Sequence, residues 1–543
     1  MTDVVIQQFG GIAPKIGPKQ LAANMAKSCN NARLDAKRLE PWKDILDLAS
    51  APQNVKTIYD YLGVWQTSAA RENIVGTILP NDVLDRIYIT DPDYPKIRSG
   101  ANIYRLGIPA PSSVPTVAVN DPGDVSDPLL TTSISYVSTI VDAWGAEGPP
   151  SGPSNSNDTG DGFQTTVTLP SAPSPPNGAG NWNLGVGALT RIYRSNTGTE
   201  SAGYQFLAEV AYGTATYVDT TDADALVELL PSLDWIGPPN DDLSLYPEGN
   251  MVGLIELPGG MLAGYVGNMV CVSEPYLPNA WPLGYRFSTS SPVVGIAPIA
   301  AGVIIVTEDR PYILTGHLPS SMVITEIDSH QACISTESLV DMGQYAVYAS
   351  PDGLVLATGQ DIKLITDEWI DRDTWQATYD PSTIRASFYE GMYVAFYGPV
   401  ADNTGFVFDP RQGLNGFMPI EGKIDCFYFD ALNDTLNVGY NSTGTTWRIG
   451  SFNKGSDLSY VWASKEFISP RPISFSSIRV EADTYPVTAK VTADGVLKNT
   501  ISITGPMAQR LSRGYRAKQW EIQLEGTSHV DSVGIWETMA EVI

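Results

Sequence analysis

The chain has 543 residues, 43% hydrophobic and 17% charged, with a formal net charge of −27. That length exceeds what one core serves, so several domains are expected. The acidity excludes a tight nucleic-acid surface over residues 111–250, because such binding needs Lys and Arg on the phosphates.

The charge is uneven. Residues 1–60 carry 8 basic and 6 acidic groups, 111–250 carry 2 and 17, and 251–455 carry 9 and 22. Gly 49 and Pro 40 point to many turns and few long helices. Cys29, Cys271, Cys333 and Cys426 lack metal or disulfide spacing and read as single buried thiols. The opening MTDVVIQQFGG has neither the basic start nor the apolar run of a signal peptide. The most apolar stretch, VVGIAPIAAGVIIV (293–306), is shorter than the roughly 20 residues a membrane span needs. The expectation is a protein made in the cytosol, with no membrane span and no cofactor.

In chain order, residues 1–50 form an N-terminal segment whose helix-like stretches lie in 19–48, with Leu21, Met25 and Ala26 at helical spacing until Pro41 breaks it. Within 51–110, VKTIYDYLGVWQ, VLDRIYIT and IYRLGIP read as three strands of a first propeller-like blade. Residues 111–240 show strands about 8–12 residues apart between Pro, Gly and Asn turns, the pattern of a β-sandwich. Its order of Tyr136, Thr139, Val141-Asp-Ala-Trp-Gly, Glu147-Gly-Pro-Pro-Ser, then RIYR (191–194), YQFLAEV (204–210) and YVDT (217–220), resembles fibronectin type III domains.

Over 241–455 short hairpins recur. Turn markers Gly260, Gly302, Gly353, Gly391 and Asp434 are 42, 51, 38 and 43 residues apart. A hairpin every ~40–50 residues, followed by further strand-like sequence, is the signature of propeller blades. Residues 456–543 hold a last β unit, with Ala493-Asp-Gly as a hairpin turn. The expected fold is all-β: a β-propeller-like core, an inserted fibronectin type III-like sandwich, and a C-terminal β domain. One blade precedes the insertion and five follow it, so the propeller closes across the inserted domain.

Chemistry is sparse. His317, His330 and His529 lie near no nucleophile motif, and no zinc-protease, phosphate-loop or dinucleotide signature occurs. The densest acidic run is DEWIDRDTW, with Asp367, Glu368, Asp371 and Asp373. Paired carboxylates serve glycoside hydrolysis, and Trp369 and Trp375 could supply a sugar platform. The plainer reading, favoured here, is a solvated loop between strands with its tryptophans packed between blades. NSNDTGDG (155–162) resembles a calcium loop through Asp158 and Asp161, but Thr168 stands where a bidentate Glu belongs, which favours an Asn/Gly loop. Asp352 in SPDG lacks the rest of a sialidase Asp-box.

Two stretches carry a family resemblance. At the N-terminus, Phe9 and Gly11, Pro14 and Pro18, Leu21 and Ala26, Asn31 and Leu34, then Leu39 and Pro41 follow one order. Later, VSEPYLPNAWPLGYRFSTSSPVVGIAPIAAGVIIVTEDRPYILTG (272–316) leads on to ASPDGLVLATG (349–359). Together these resemble the tail nozzle (tail hub) proteins of short-tailed bacteriophages. The resemblance implies a structural, non-enzymatic virion protein of the tail, assembled in the bacterial cytoplasm as a homohexamer. Such a ring lies beneath the portal and adaptor, meets tail fibre or spike proteins, and passes double-stranded DNA without tight binding until ejection. The fibronectin-like insertion departs from the family pattern. Leu21, Met25, Lys27, Arg33, Lys37 and Arg38 would then dock on a neighbouring subunit or the adaptor; the alternative is an N-terminal helix packed on its own propeller. The alternative functions are a propeller glycosidase or depolymerase, and a glycan-binding adhesion protein of the virion.

Overall fold

A computed structural model describes residues 3–120, 132–160, 163–196, 203–400, 404–411, 416–512 and 514–542. The fold is all-β, built on six four-stranded antiparallel meanders of the kind that make propeller blades. Their first strands are Asn73–Val75, Val252–Leu257, Val293–Ile299, Val340–Asp341, Arg385–Tyr389 and Ile424–Asp430. Each of the five recurring hairpins lies inside one of the last five sheets, and five of the six run through consecutive strands.

The sixth sheet departs from that pattern. Ile424–Asp430, Thr435–Asn441 and Trp447–Ser451 supply three strands, and the fourth is Leu46–Ser50 from the other end of the chain. The C-terminal β domain borrows in the same way. Asp3–Ile6 is the edge strand beside Val530–Trp536, and Ala26–Asn30 is the edge strand beside Tyr460–Ser464.

Two compact units emerge: residues 1–71 with 297–313 and 326–543, and residues 72–296 with 314–325. These follow different lines from the five-part division expected from sequence. In the second unit, the sheets beginning at Asn73 and Val252 share one core, with Tyr88, Ile97, Leu254, Leu262 and Trp281 buried together. The two sheets flanking the insertion are therefore packed on each other. The insertion itself has three-stranded sheets, Thr116–Asn120 with Gln164–Thr168 and Thr216–Asp219, and Tyr136–Val141 with Leu189–Asn196 and Gly203–Ala211. Ile134, Tyr136, Val167 and Ile192 fill its core.

The helix expected within 19–48 is absent: that stretch forms short strands and turns. Pro14, Pro18 and Pro41 bracket it, and Asn31 and Lys37 adopt left-handed backbone (φ 52° and 62°) that no helix accommodates. Open sheet edges then outcompete a weak local preference. VKTIYDYLGVWQ is not part of the first blade either. It folds on itself as Thr57–Tyr61 paired with Val64–Ser68, while the blade is built entirely from residues 73–105. The Asp494-Gly495 turn is as expected, with both residues at positive φ (47° and 76°) between Val487–Ala493 and Val496–Ile503. Among the described residues, no helix is long and apolar enough to cross a membrane.

Candidate functional site

Residues 367–371 of the acidic run are turn and loop, as the plainer reading expected, and the run then enters a short helix that the sequence reading did not foresee. Asp371 is the N-cap of the helix Arg372–Tyr379, and its carboxylate accepts the Thr374 N–H at 3.0 Å and the Thr374 hydroxyl at 2.9 Å. Those two donors hold its pKa below the ordinary value. Asp367, Glu368 and Asp373 are exposed. Trp369 and Trp375 are buried, as the plainer reading expected, and are closed to a sugar. Trp375 donates to the Ser350 carbonyl at 2.9 Å and stacks on Tyr379 at 5.3 Å. An Asp and two aromatics four positions apart stand in the right order for a capped helix, but the polar residues between them mask the pattern in sequence.

A partly buried charge junction that motif reading missed lies in the first unit, with Asp425 at its buried centre. Arg71 follows the Thr57–Ser68 hairpin, Glu337 sits in the 3-10 turn Thr336–Ser338, and Arg385 and Asp425 lie at the starts of two neighbouring first strands. Arg71 pairs with Glu337 and donates to the Asp425 carboxylate at 2.9 Å. Arg385 approaches the same oxygen at 3.5 Å and donates to the Gly398 carbonyl at 2.8 Å. Burial raises the pKa of Glu337 against the pull of both arginines, and burial lowers that of Arg385. Two carboxylates and two guanidiniums cancel, so the junction ties strand ends together. No short motif could reveal residues 71, 337, 385 and 425 meeting.

Paired carboxylates must face a substrate space to do glycosidase work. Among the described residues are cavities of about 460, 190 and 470 Å³, lined by the carboxylates Asp234 and Asp242, Asp142, and Asp44, Asp47 and Glu421 respectively; neither the junction nor the acidic run lines any of these three. Asp352 pairs with Arg372 at 3.0 Å beside a hairpin turn. Asp158 lies in the strand Asn157–Thr159, Thr168 ends the strand Gln164–Thr168, and Asp161 lies outside the described residues. Among the described residues no group of three or more His, Cys, Asp or Glu could hold a metal. All four cysteines are buried and unpaired, each with its pKa pushed up to about 12 by burial. The histidines sit apart from them: His330 near Arg310 at 3.2 Å, His529 near Glu40 and Asp483 at 3.8 Å, and His317 exposed.

The N-terminal docking residues fall into two groups. Leu21 and Met25 are buried with Trp369, Trp375 and Phe417, so their apolar surface is spent inside the chain. Lys27 pairs with Glu466 at 3.1 Å and Glu521 at 2.8 Å. Arg33 pairs with Asp35 and Glu390 at 2.8 and 2.6 Å, over the ring of Trp42. Arg38 pairs with Asp483 and Asp531 at 2.9 and 2.6 Å. Lys37 is exposed on a turn whose carbonyl accepts the Phe9 N–H at 3.0 Å. The segment is packed on its own chain through strands and ion pairs, without the helix that the alternative supposed.

The acidic insertion is the most one-sided surface. Its only two cations are both ion-paired: Arg191, a third exposed, to Glu147 and Glu209 at 2.8 Å each, and the buried Arg194 to Asp219 at 2.7 Å. Asp158, Asp222, Asp224 and Glu228 face solvent.

No protein-family model matches the chain, and no curated protein does. Among solved structures, one similar chain is described as Kluyvelomyces marxianus Hsv2, with 8% identity, a TM-score of 0.24, and 51% of this chain and 68% of that one covered. Another is BBS1N in complex with ARL6DN, with 9% identity, a TM-score of 0.26, and 77% and 98% covered. Likeness at these TM-scores carries no functional argument, and the fold assignment rests on the sheets described above.

Proposed function

We propose that the chain is a structural virion protein, the nozzle subunit of a short-tailed phage. It would form a six-fold ring that extends and closes the DNA channel below the portal and adaptor and opens for ejection. The observation that carries this reading is that both cations of the acidic insertion, Arg191 and Arg194, are already ion-paired with its own carboxylates. A wall without available cations gains no counterion release from phosphate, so duplex DNA slides past instead of sticking. The N-terminal and 272–359 motifs supply the family side of the argument. Head-to-tail contacts within a closed ring are the expected assembly. The Glu337 and Asp425 carboxylates give no support to a glycosidase reading, because Arg71 bridges them.

The test is mass. Light scattering and particle imaging at near-neutral pH, alone and with the phage adaptor, should show a ring. A chain that stays monomeric with its adaptor overturns the proposal, and so does retention of duplex DNA at moderate salt.

A further inference from the structure

The 460 Å³ cavity lies wholly within the second unit, in a volume range typical of binding sites, about 300–1,000 Å³. Its buried members include Ile108 and Tyr246, the latter fixed by a 2.7 Å hydrogen bond from its hydroxyl to the Gly237 carbonyl. Gly107, at φ 91°, holds the adjoining backbone so close that a Cβ there would come within 2.7 Å of Pro238. The site is thus shaped by packed backbone. Around it Leu233, Leu245 and Leu283 are 69%, 53% and 61% exposed. Three large aliphatic side chains left wet about an apolar cavity mark an interaction surface.

The collar is acidic. Asp234 and Asp242 line the cavity, and Glu274 lies close enough for Asp234 to raise its pKa further after burial has done so. None of the three has an ion-pair partner among the described residues. Of the nearby cations, Arg105 pairs with Asp241 and lies 4.0 Å from the ring centre of Tyr94, and Arg286 packs over the ring of the cavity residue Tyr246 without itself lining the cavity.

We infer that this cavity docks a short linear segment of a partner chain, with large apolar anchor side chains flanked by Lys or Arg. A small apolar ligand would fill the hollow and leave the three leucines in water, whereas a peptide covers them and brings charge to the collar. The inference does not depend on ring formation.

The test is selection from a displayed library of random linear peptides on the intact chain, with counter-selection on a Leu233→Asp/Leu283→Asp variant. Both sites are exposed, so the variant should unfold at an unchanged temperature. Selected peptides should combine Leu, Phe or Trp with Lys or Arg. Their affinity should fall about 10–100-fold on the double variant and about 3–10-fold on Asp234→Lys. No enrichment over the variant, enrichment of acidic or uncharged peptides, or affinity untouched by either substitution would overturn the inference. Particle mass measured on the same variant separates this result from the ring proposal.

Discussion

Phe9→Ala tests whether the N-terminal strands hold the C-terminal domain together. Phe9 is 1% exposed, and its ring meets Trp462 edge-on at 4.9 Å and 82°. The Trp462 indole also donates to the Gly10 carbonyl at 3.0 Å, so the two contacts fix one another. Removing a buried Phe side chain costs about 3–5 kcal/mol, aromatic pairing included. At about 1.4 kcal/mol per tenfold, a loss near 4 kcal/mol multiplies local opening about a thousandfold. Amide hydrogen exchange read by mass spectrometry should show that acceleration in Asp3–Ile6, Ala26–Asn30 and Tyr460–Ser464, with Tyr136–Val141 in the other unit unchanged. Phe9→Leu, which keeps most of the volume, should give a far smaller effect in the same strands. A change below about tenfold in those strands, or equal acceleration everywhere, would refute the reasoning.

Other outcomes follow from buried groups. Asp219→Asn leaves Arg194 uncompensated inside the sandwich, where Asp219 also accepts from the Tyr136 hydroxyl at 2.7 Å. Breaking one partner of a buried pair costs about 3–5 kcal/mol, read as faster exchange in Leu189–Asn196. Burial would raise the Asp82 carboxyl, but Arg86, the Leu84 N–H and the Thr77 hydroxyl outweigh it and lower its pKa from 3.8 to about 2. Its contribution to stability is therefore present above 3.8 and lost as pH falls toward about 2; Asp82→Asn should flatten the acid limb of local exchange there. With all four thiols pushed up to about 12, native protein at pH near 8 should resist alkylation while denatured protein takes up four labels by mass.

The blade hairpins were legible because each contains its own turn and alternates within itself, so neighbours in sequence are neighbours in the sheet. Partner choice across the chain was not legible. Thr57–Ser68 has strand composition in abundance, yet nothing local says that it pairs only with itself. Leu21, Met25 and Ala26 share a helical spacing by coincidence, and the sheet edges that claim their surroundings lie more than four hundred residues onward. The true helix was hidden by polarity: Arg372, Asp373, Thr374 and Gln376 mask the face carried by Trp375 and Tyr379. Candidate chemistry failed for a related reason. A run of carboxylates in sequence says nothing about cavities, and only coordinates show Asp371 capping a helix.

The borrowed strands also impose an order in time. Asp47 meets Tyr440 across 393 positions, Gly10 meets Trp462 across 452, and Lys27 meets Glu521 across 494. During synthesis the first fifty residues must wait, with their strand edges unpaired, until the last hundred emerge. Such distant pairings make for slow closure. A chain interrupted after its fifth blade could fold most of its hairpins but could not seal the sixth sheet or form the C-terminal domain. The strands of the first fifty residues thus find their partners only once residues 447–536 are present, and a copy lacking those residues would present raw edges instead of a finished surface.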